Sequence, residues 1–170
     1  MKKQLLLLVL ALLCSLSMSA QIQRKFFGQT LGVSTENDVI EYFEGKGIDV
    51  TRASLTSVEV EDMKFGGYMW STVVFDFLED KLATVFFIND ENDIPSAKER
   101  WNDLNEKIKE KYKLYYIPNR SSEPSKMYMD NETSVFLRKE VFEEKKEVLS
   151  LVYGDIKMLF DRLQKDEDEL

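Results

Sequence analysis

The stretch Met69-Trp70-Ser71-Thr72-Val73-Val74-Phe75-Asp76-Phe77-Leu78, followed by Glu79-Asp80-Lys81 and then Leu82-Ala83-Thr84-Val85-Phe86-Phe87-Ile88, decides the fold class. Both apolar runs are rich in Val and Phe, and a short polar tip joins them, which is the signature of a β-hairpin. Strand alternation places Met69, Val73, Phe75 and Phe77 inward and sends Tyr68, Trp70, Thr72 and Val74 to the opposite face. Residues 54–63 alternate too, with Val58 and Val60 against Glu59 and Glu61, so they read as a strand with one wet face. Gly66 and Gly67 separate that strand from the hairpin, giving an antiparallel meander.

Helices flank the meander. Thr35 to Asp38 is a capping-box pattern, and Val39, Ile40 and Phe43 share one helical face, so a short helix is expected over 35–45, with Gly45 and Gly47 as a left-handed stop. A second capping box, Ser96 with Glu99, follows Pro95. Ala97, Trp101, Leu104, Ile108 and Tyr112 then repeat at helical spacing, with a charged face opposite. Beyond it come β-rich runs at 114–117, 127–130, 134–142 and 147–153, then a helix capped by Asp155 with Ile156, Leu159, Phe160 and Leu163 on one face.

The fold class is therefore α+β: two helix-plus-antiparallel-strand units, with helices packed on an antiparallel sheet and a short C-terminal helix. Residues 71–75 and 133–137 each open a hairpin that returns through an aromatic run, Val85-Phe86-Phe87 and Leu151-Val152-Tyr153. A tandem repeat gives this pattern, and so do two amphipathic helices on one sheet with no common origin.

The first twenty residues differ from the rest. Lys2 and Lys3 precede an apolar run, Leu5 to Leu13, and a small, polar stretch ends at Ala20, the pattern of a secretory signal peptide. The run is too short for a retained membrane span. Cys14 would carry lipid in a bacterial lipoprotein, but Leu13 fits poorly where such a site takes Gly or Ala, so cleavage after Ala20 is preferred. The expected organisation is residues 1–20 as signal peptide and 21–170 as a single α+β domain, exported to the periplasm or the extracellular space without a lipid anchor.

Composition then removes most chemistry. The chain carries 23 Lys and Arg against 31 Asp and Glu, a formal charge of −8, with no His and Cys14 as its one cysteine. Residues 1–20 hold two lysines and no acid, so cleavage leaves 21 basic and 31 acidic residues. Such a chain repels nucleic acid and offers no basic stripe to follow a phosphate backbone. Without imidazole or a retained thiol, a nucleophilic hydrolase lacks its usual base, and zinc loses its favoured ligands.

Phe26-Phe27-Gly28, Gly32, Val39, Phe43, Lys46-Gly47, Phe65-Gly66 and the β-pattern through Phe87 resemble small exported proteins of Bacteroidetes-type bacteria. The order of elements is similar to the helix-and-sheet folds of β-lactamase inhibitor proteins and small outer-membrane assembly lipoproteins. Neither resemblance implies a catalytic residue.

What remains is carboxylates and aromatics. Asp90-Glu91-Asn92-Asp93 opens like a calcium loop but continues with Ile94 and Pro95, so an acidic turn explains it better. Asp76, Glu79 and Asp80 hold enough carboxyl groups for a glycosidase pair, and Glu79 and Asp80 equally suit a solvated hairpin tip. Ser122 and Ser125 stand near Lys126 without a convincing helix start. Tyr68, Trp70 and Tyr116 are the candidate binding residues, because Tyr and Trp on a solvent-facing sheet suit a protein partner or an extended ligand. The competing reading is that a helix covers that face and makes it core. The expected role is thus non-catalytic binding, with no cofactor, no nucleic acid and no transmembrane segment. A carboxylate-dependent hydrolase and an envelope-anchored assembly accessory are the alternatives.

Overall fold

The computed structural model describes residues 21–91, 94–118, 125–141 and 147–168. The expected signal peptide with Cys14, Asn92-Asp93 and Ser122 lie outside the described residues. The chain is α+β. Among the described residues ten strands, β1 (Lys25–Phe26), β2 (Gln29–Thr30), β3 (Thr51–Arg52), β4 (Ser57–Phe65), β5 (Tyr68–Leu78), β6 (Lys81–Glu91), β7 (Tyr116–Ile117), β8 (Ser125–Met129), β9 (Thr133–Val141) and β10 (Glu147–Asp155), alternate with three α-helices. The helices are α1 (Glu36–Glu44), α2 (Ile94–Tyr112) and α3 (Ile156–Asp168). Strands β3 to β10 form one antiparallel sheet in the order β3-β4-β5-β6-β10-β9-β8-β7. The expected meander is its first half, and β6 pairs with β10 at its centre.

Local signals explain most element boundaries. Thr35 caps α1 by accepting from the Asp38 amide while Asp38 accepts from the Thr35 amide, the reciprocal box the sequence expects. Gly45 continues the right-handed turn, and it is Gly47, at φ 72°, that takes the left-handed conformation. Helix α2 starts at Ile94, two residues before the Ser96 cap expected from sequence, because a proline is tolerated in the first helical turn. Asp155 caps α3 as expected, accepting from the Met158 amide at 3.0 Å.

The core lies on one face of the sheet. Val58, Val60, Val73, Phe75, Phe77, Phe87, Val135, Leu137, Leu149, Leu151 and Tyr153 are buried there. Val39 and Phe43 of α1 and Leu104, Ile108 and Tyr112 of α2 are buried in the same cluster. The sequence reading missed the β1–β2 hairpin. Its turn is Phe27-Gly28 at φ 49° and 88°, a pair of left-handed residues that matches strand twist in a two-residue hairpin. That turn drives Phe26 into the core, where its ring centroid lies 4.7 Å from Tyr153 and 5.9 Å from Phe87.

One expectation about β5 is corrected. Val73, Phe75 and Phe77 are inward, but Trp70 is buried with them and Met69 is 51% exposed, the reverse of the expected alternation. The cause is a kink shared by two strands. Asp62 of β4 adopts φ 53°, and the β4–β5 ladder runs from Glu61↔Thr72 to Met63↔Trp70 with no pair between. On both strands the inward residues flanking the kink are three apart, Val60 to Met63 and Trp70 to Val73, so the pleat changes phase without a register slip.

Candidate functional site

The three aromatic residues singled out by sequence do not form one patch. Trp70 is core: 1% exposed, its indole N–H donating to the Phe65 carbonyl at 3.1 Å. Tyr68 is half-buried beside it, at 6.4 Å between ring centroids, and is covered by α2. Its hydroxyl donates to Asp103 and accepts from Lys107 at 2.7 Å, while Lys107 also reaches Asp103 at 2.9 Å. Burial, and then the hydrogen bond to the Asp103 carboxylate, raise the Tyr68 hydroxyl above its ordinary range. The same hydrogen bond, assisted by Lys107, lowers the Asp103 carboxyl. Helix α2 therefore covers Tyr68 and Trp70, while Thr72 and Val74, expected on the same face as them, lie on the opposite one. Tyr116 stands on β7, with β6, β10, β9 and β8 between it and Tyr68.

The carboxylate candidates also disperse. Glu79 and Asp80 form the β5–β6 turn at φ 50° and 60°, and Glu79 pairs with Lys165 in solvent. Asp76 accepts from the Thr56 hydroxyl at 3.2 Å and faces Arg162 at 3.9 Å. Asp90 and Glu91 belong to the end of β6, where they pair with Val148 and Glu147 of β10.

Two other features stand out. The first is the sheet face opposite the core. Register places Glu59, Val74, Phe86, Val152, Phe136, Met127 and Ile117 opposite one another on successive strands from β4 to β7. The six apolar members are all half-buried and run unbroken from β5 to β7. At the common interstrand spacing, five steps make a strip about 24 Å long. Thr72, Ile88, Ser150 and Arg138 form the next row, in the direction away from α3. On the other side Asp76, Thr84, Gly154 and Ser134 form a row beneath α3. There Gly154 leaves room for Leu159, whose Cδ1 would stand 2.7 Å from an added Cβ. Helix α3 leaves Phe160 and Leu163 more than half exposed.

Sequence reasoning placed Val74 on this face but overlooked the strip. The signal lay in Phe86, Val152 and Phe136, one residue out of phase with the core set, yet no spacing rule aligns strands so distant in sequence.

The second feature is a cavity of about 330 Å³ where α2 crosses β7 and β8, lined by Asn105, Lys109, Lys113, Tyr116, Lys126 and Tyr128. Tyr116 pairs with Tyr128 across the strands, 5.6 Å between ring centroids, and the Lys126 ammonium lies 5.9 Å from the Tyr116 ring. Tyr116 is 44% exposed and Tyr128 buried. Burial, then neighbouring Tyr116 and Glu106, raise the Tyr128 hydroxyl, so it stays a neutral donor at physiological pH.

Among the described residues, no helix is long and apolar enough to cross a membrane. Neither a family model, nor a curated protein, nor a solved structure matches the chain.

Proposed function

We propose that this protein is an exported, non-catalytic binding module that holds a partner protein on the open face of its sheet. The observation that carries the reading is the six-residue strip from Val74 to Ile117. Contiguous apolar surface rimmed by polar groups marks interaction sites, whereas single exposed apolar residues do not. A strip about 24 Å long and a few rows deep is of the order of a modest protein interface. Edge pairing is a poorer alternative, because the outermost strands β3 and β7 are two residues each and offer little ladder.

The flanking charges indicate the partner's chemistry. Glu59 and Glu61 of β4 and Asp76 of β5 border the strip at its β4 end, so the complementary surface has an apolar ridge with Lys or Arg beside it. The strip also draws on both halves of the chain. Each of α1 and α2 precedes a four-stranded meander, and the last strands of the two meanders meet at the centre. We read the chain as two copies of one helix-plus-four-strand unit, whose joining creates a surface neither unit has alone. Residues 1–20 direct export in this reading.

Photo-crosslinking from within the strip tests it. A benzophenone side chain at Phe136 or Phe86 is expected to yield one discrete protein adduct in cells of the source organism, and the same group at exposed Lys64 none. Absence of an adduct from both strip positions, or an equal adduct from Lys64, would overturn the assignment.

A further inference from the structure

We propose that the cavity between α2 and strands β7 and β8 binds an anionic sugar, one ring carrying a carboxylate or a sulfate. Four observations converge on that class. In a chain with eight more acids than bases, Lys109, Lys113 and Lys126 line one cavity to which, among the described residues, no carboxylate side chain contributes. Among the described residues neither Lys113 nor Lys126 has an ion-pair partner within 4.0 Å, and Lys109 has only solvent-exposed Glu106 at 3.7 Å. Like charges brought together and left unpaired in this way favour an anion.

The anion is not bare. The half-exposed Tyr116 ring, braced by Tyr128, presents an apolar face, and a pyranose ring carries C–H groups that pack on such a face. The Asn105 side-chain oxygen is buried with no hydrogen-bond partner, a state that calls for a donor from a ligand. A sugar hydroxyl is such a donor. Chloride cannot donate and leaves Asn105 unmet, and inorganic phosphate, whose P–O–H groups can donate at neutral pH, has no C–H face to pack on Tyr116. The volume, about 330 Å³, is at the small end of ligand sites and suits one ring rather than a long chain segment.

This site is on the core side of the sheet, beyond α2, and does not depend on the partner-binding reading of the opposite face. Calorimetric titration of the full chain with D-glucuronate, glucose 6-sulfate, D-glucose and inorganic phosphate tests it. Saturable binding of glucuronate or the sulfate is expected, whichever arm is tighter naming the acidic group. Glucose and phosphate should each bind at least about tenfold more weakly, the worth of one charge-assisted contact.

Lys113→Met with Lys126→Met is expected to weaken the acidic sugar by about tenfold or more, and Tyr116→Ala to do the same. If a variant fails to fold, chemical-shift mapping on the parent protein replaces it, with the largest changes expected at Asn105, Lys113, Tyr116 and Lys126. No saturation by either acidic sugar, equal binding of glucose, equal binding of phosphate, or shifts mapping elsewhere would each overturn the proposal.

Discussion

Arg24 and Asp155 lie 131 residues apart in the chain, and the Arg24 guanidinium donates to the Asp155 carboxylate at 2.6 Å. The contact joins three elements. Asp155 ends β10 and caps α3 through the Met158 amide, while Arg24 also donates to the carbonyls of Leu31 and Glu132 and so pins the segment before β1 to the sheet. Gly32 packs against the same carboxylate, where an added Cβ would stand 2.8 Å from its oxygen.

Asp155→Ala removes the cap and leaves Arg24 half-buried with the exposed Glu132 carboxylate, 3.7 Å away, as its remaining charge partner. The loss of a mostly buried pair plus a cap is expected to cost about 3 kcal/mol, read as a lower urea midpoint. Asp155→Asn, which keeps a capping oxygen, should cost clearly less. In a double-mutant cycle with Arg24→Met, coupling near zero would show that the pair contributes nothing beyond the cap.

Trp70 separates core from interface experimentally. With the indole enclosed and bonded to the Phe65 carbonyl, Trp70→Ala is expected to cost about 3 to 5 kcal/mol, as for other large aromatic residues removed from a core. In a Trp101→Phe background, Trp70 emission should be blue-shifted and resist acrylamide. Ready quenching, or a cost below about 1 kcal/mol, would return Trp70 to the surface.

The contrast between Trp70 and Val73 shows what was legible in the sequence. Period-two alternation located β4, β5 and β6 and identified Val73, Phe75 and Phe77 as inward, because burial of one sheet face writes itself directly into local spacing. The α1 capping box and the Asp155 cap were equally local. Trp70 was misassigned because one left-handed residue, Asp62, on a different strand changes the phase of both strands, and nothing in the spacing of β5 records it. The strip across Val74, Phe86, Val152 and Phe136 and the convergence of Lys113 and Lys126 beside Tyr116 depend on pairings that only strand order creates.

Acid should weaken the fold through named carboxyls. Asp38 is lowered first by the Thr35 amide, Glu79 by its hydrogen bond from Lys165, and Asp103 by its hydrogen bond from Tyr68. A carboxyl whose folded value lies below its unfolded value adds stability that is present above the ordinary carboxylate range. That stability disappears as pH falls through the folded value. Urea midpoints are therefore expected to hold down to about pH 4.5 and to drop below about pH 4. Asp38→Asn should flatten part of that drop, and an unchanged acid profile would count against the capping box as its source.

At alkaline pH the sign reverses. Burial raises the hydroxyls of Tyr128 and Tyr153, and Tyr112 adds to the shift at Tyr153. Each favours the folded state at pH values below the ordinary tyrosine value, and that preference is lost as pH rises through the higher folded value. Absorbance at about 295 nm should show fewer than the full seven tyrosines ionising near pH 10, the rest following at higher pH as the sheet opens. Simultaneous titration of all seven would contradict the burial of Tyr153.

Gly154 governs how α3 sits on the open face. Its missing side chain lets Leu159 approach the sheet, and the Ser134 hydroxyl would lie only 3.2 Å from an added Cβ. Gly154→Ala displaces mainly the flexible tip of Leu159 and is expected to cost about 1 kcal/mol, whereas the branched side chain of Gly154→Val should cost about 2 to 3 kcal/mol. The effect should be regional. Amides of α3 are expected to lose hydrogen-exchange protection while those of Phe87 and Leu151 in the central strands keep theirs, because α3 bears on β10 from the side away from the core. Loss of protection throughout the sheet would mean instead that α3 is an integral part of the fold rather than a cover along one side of the strip.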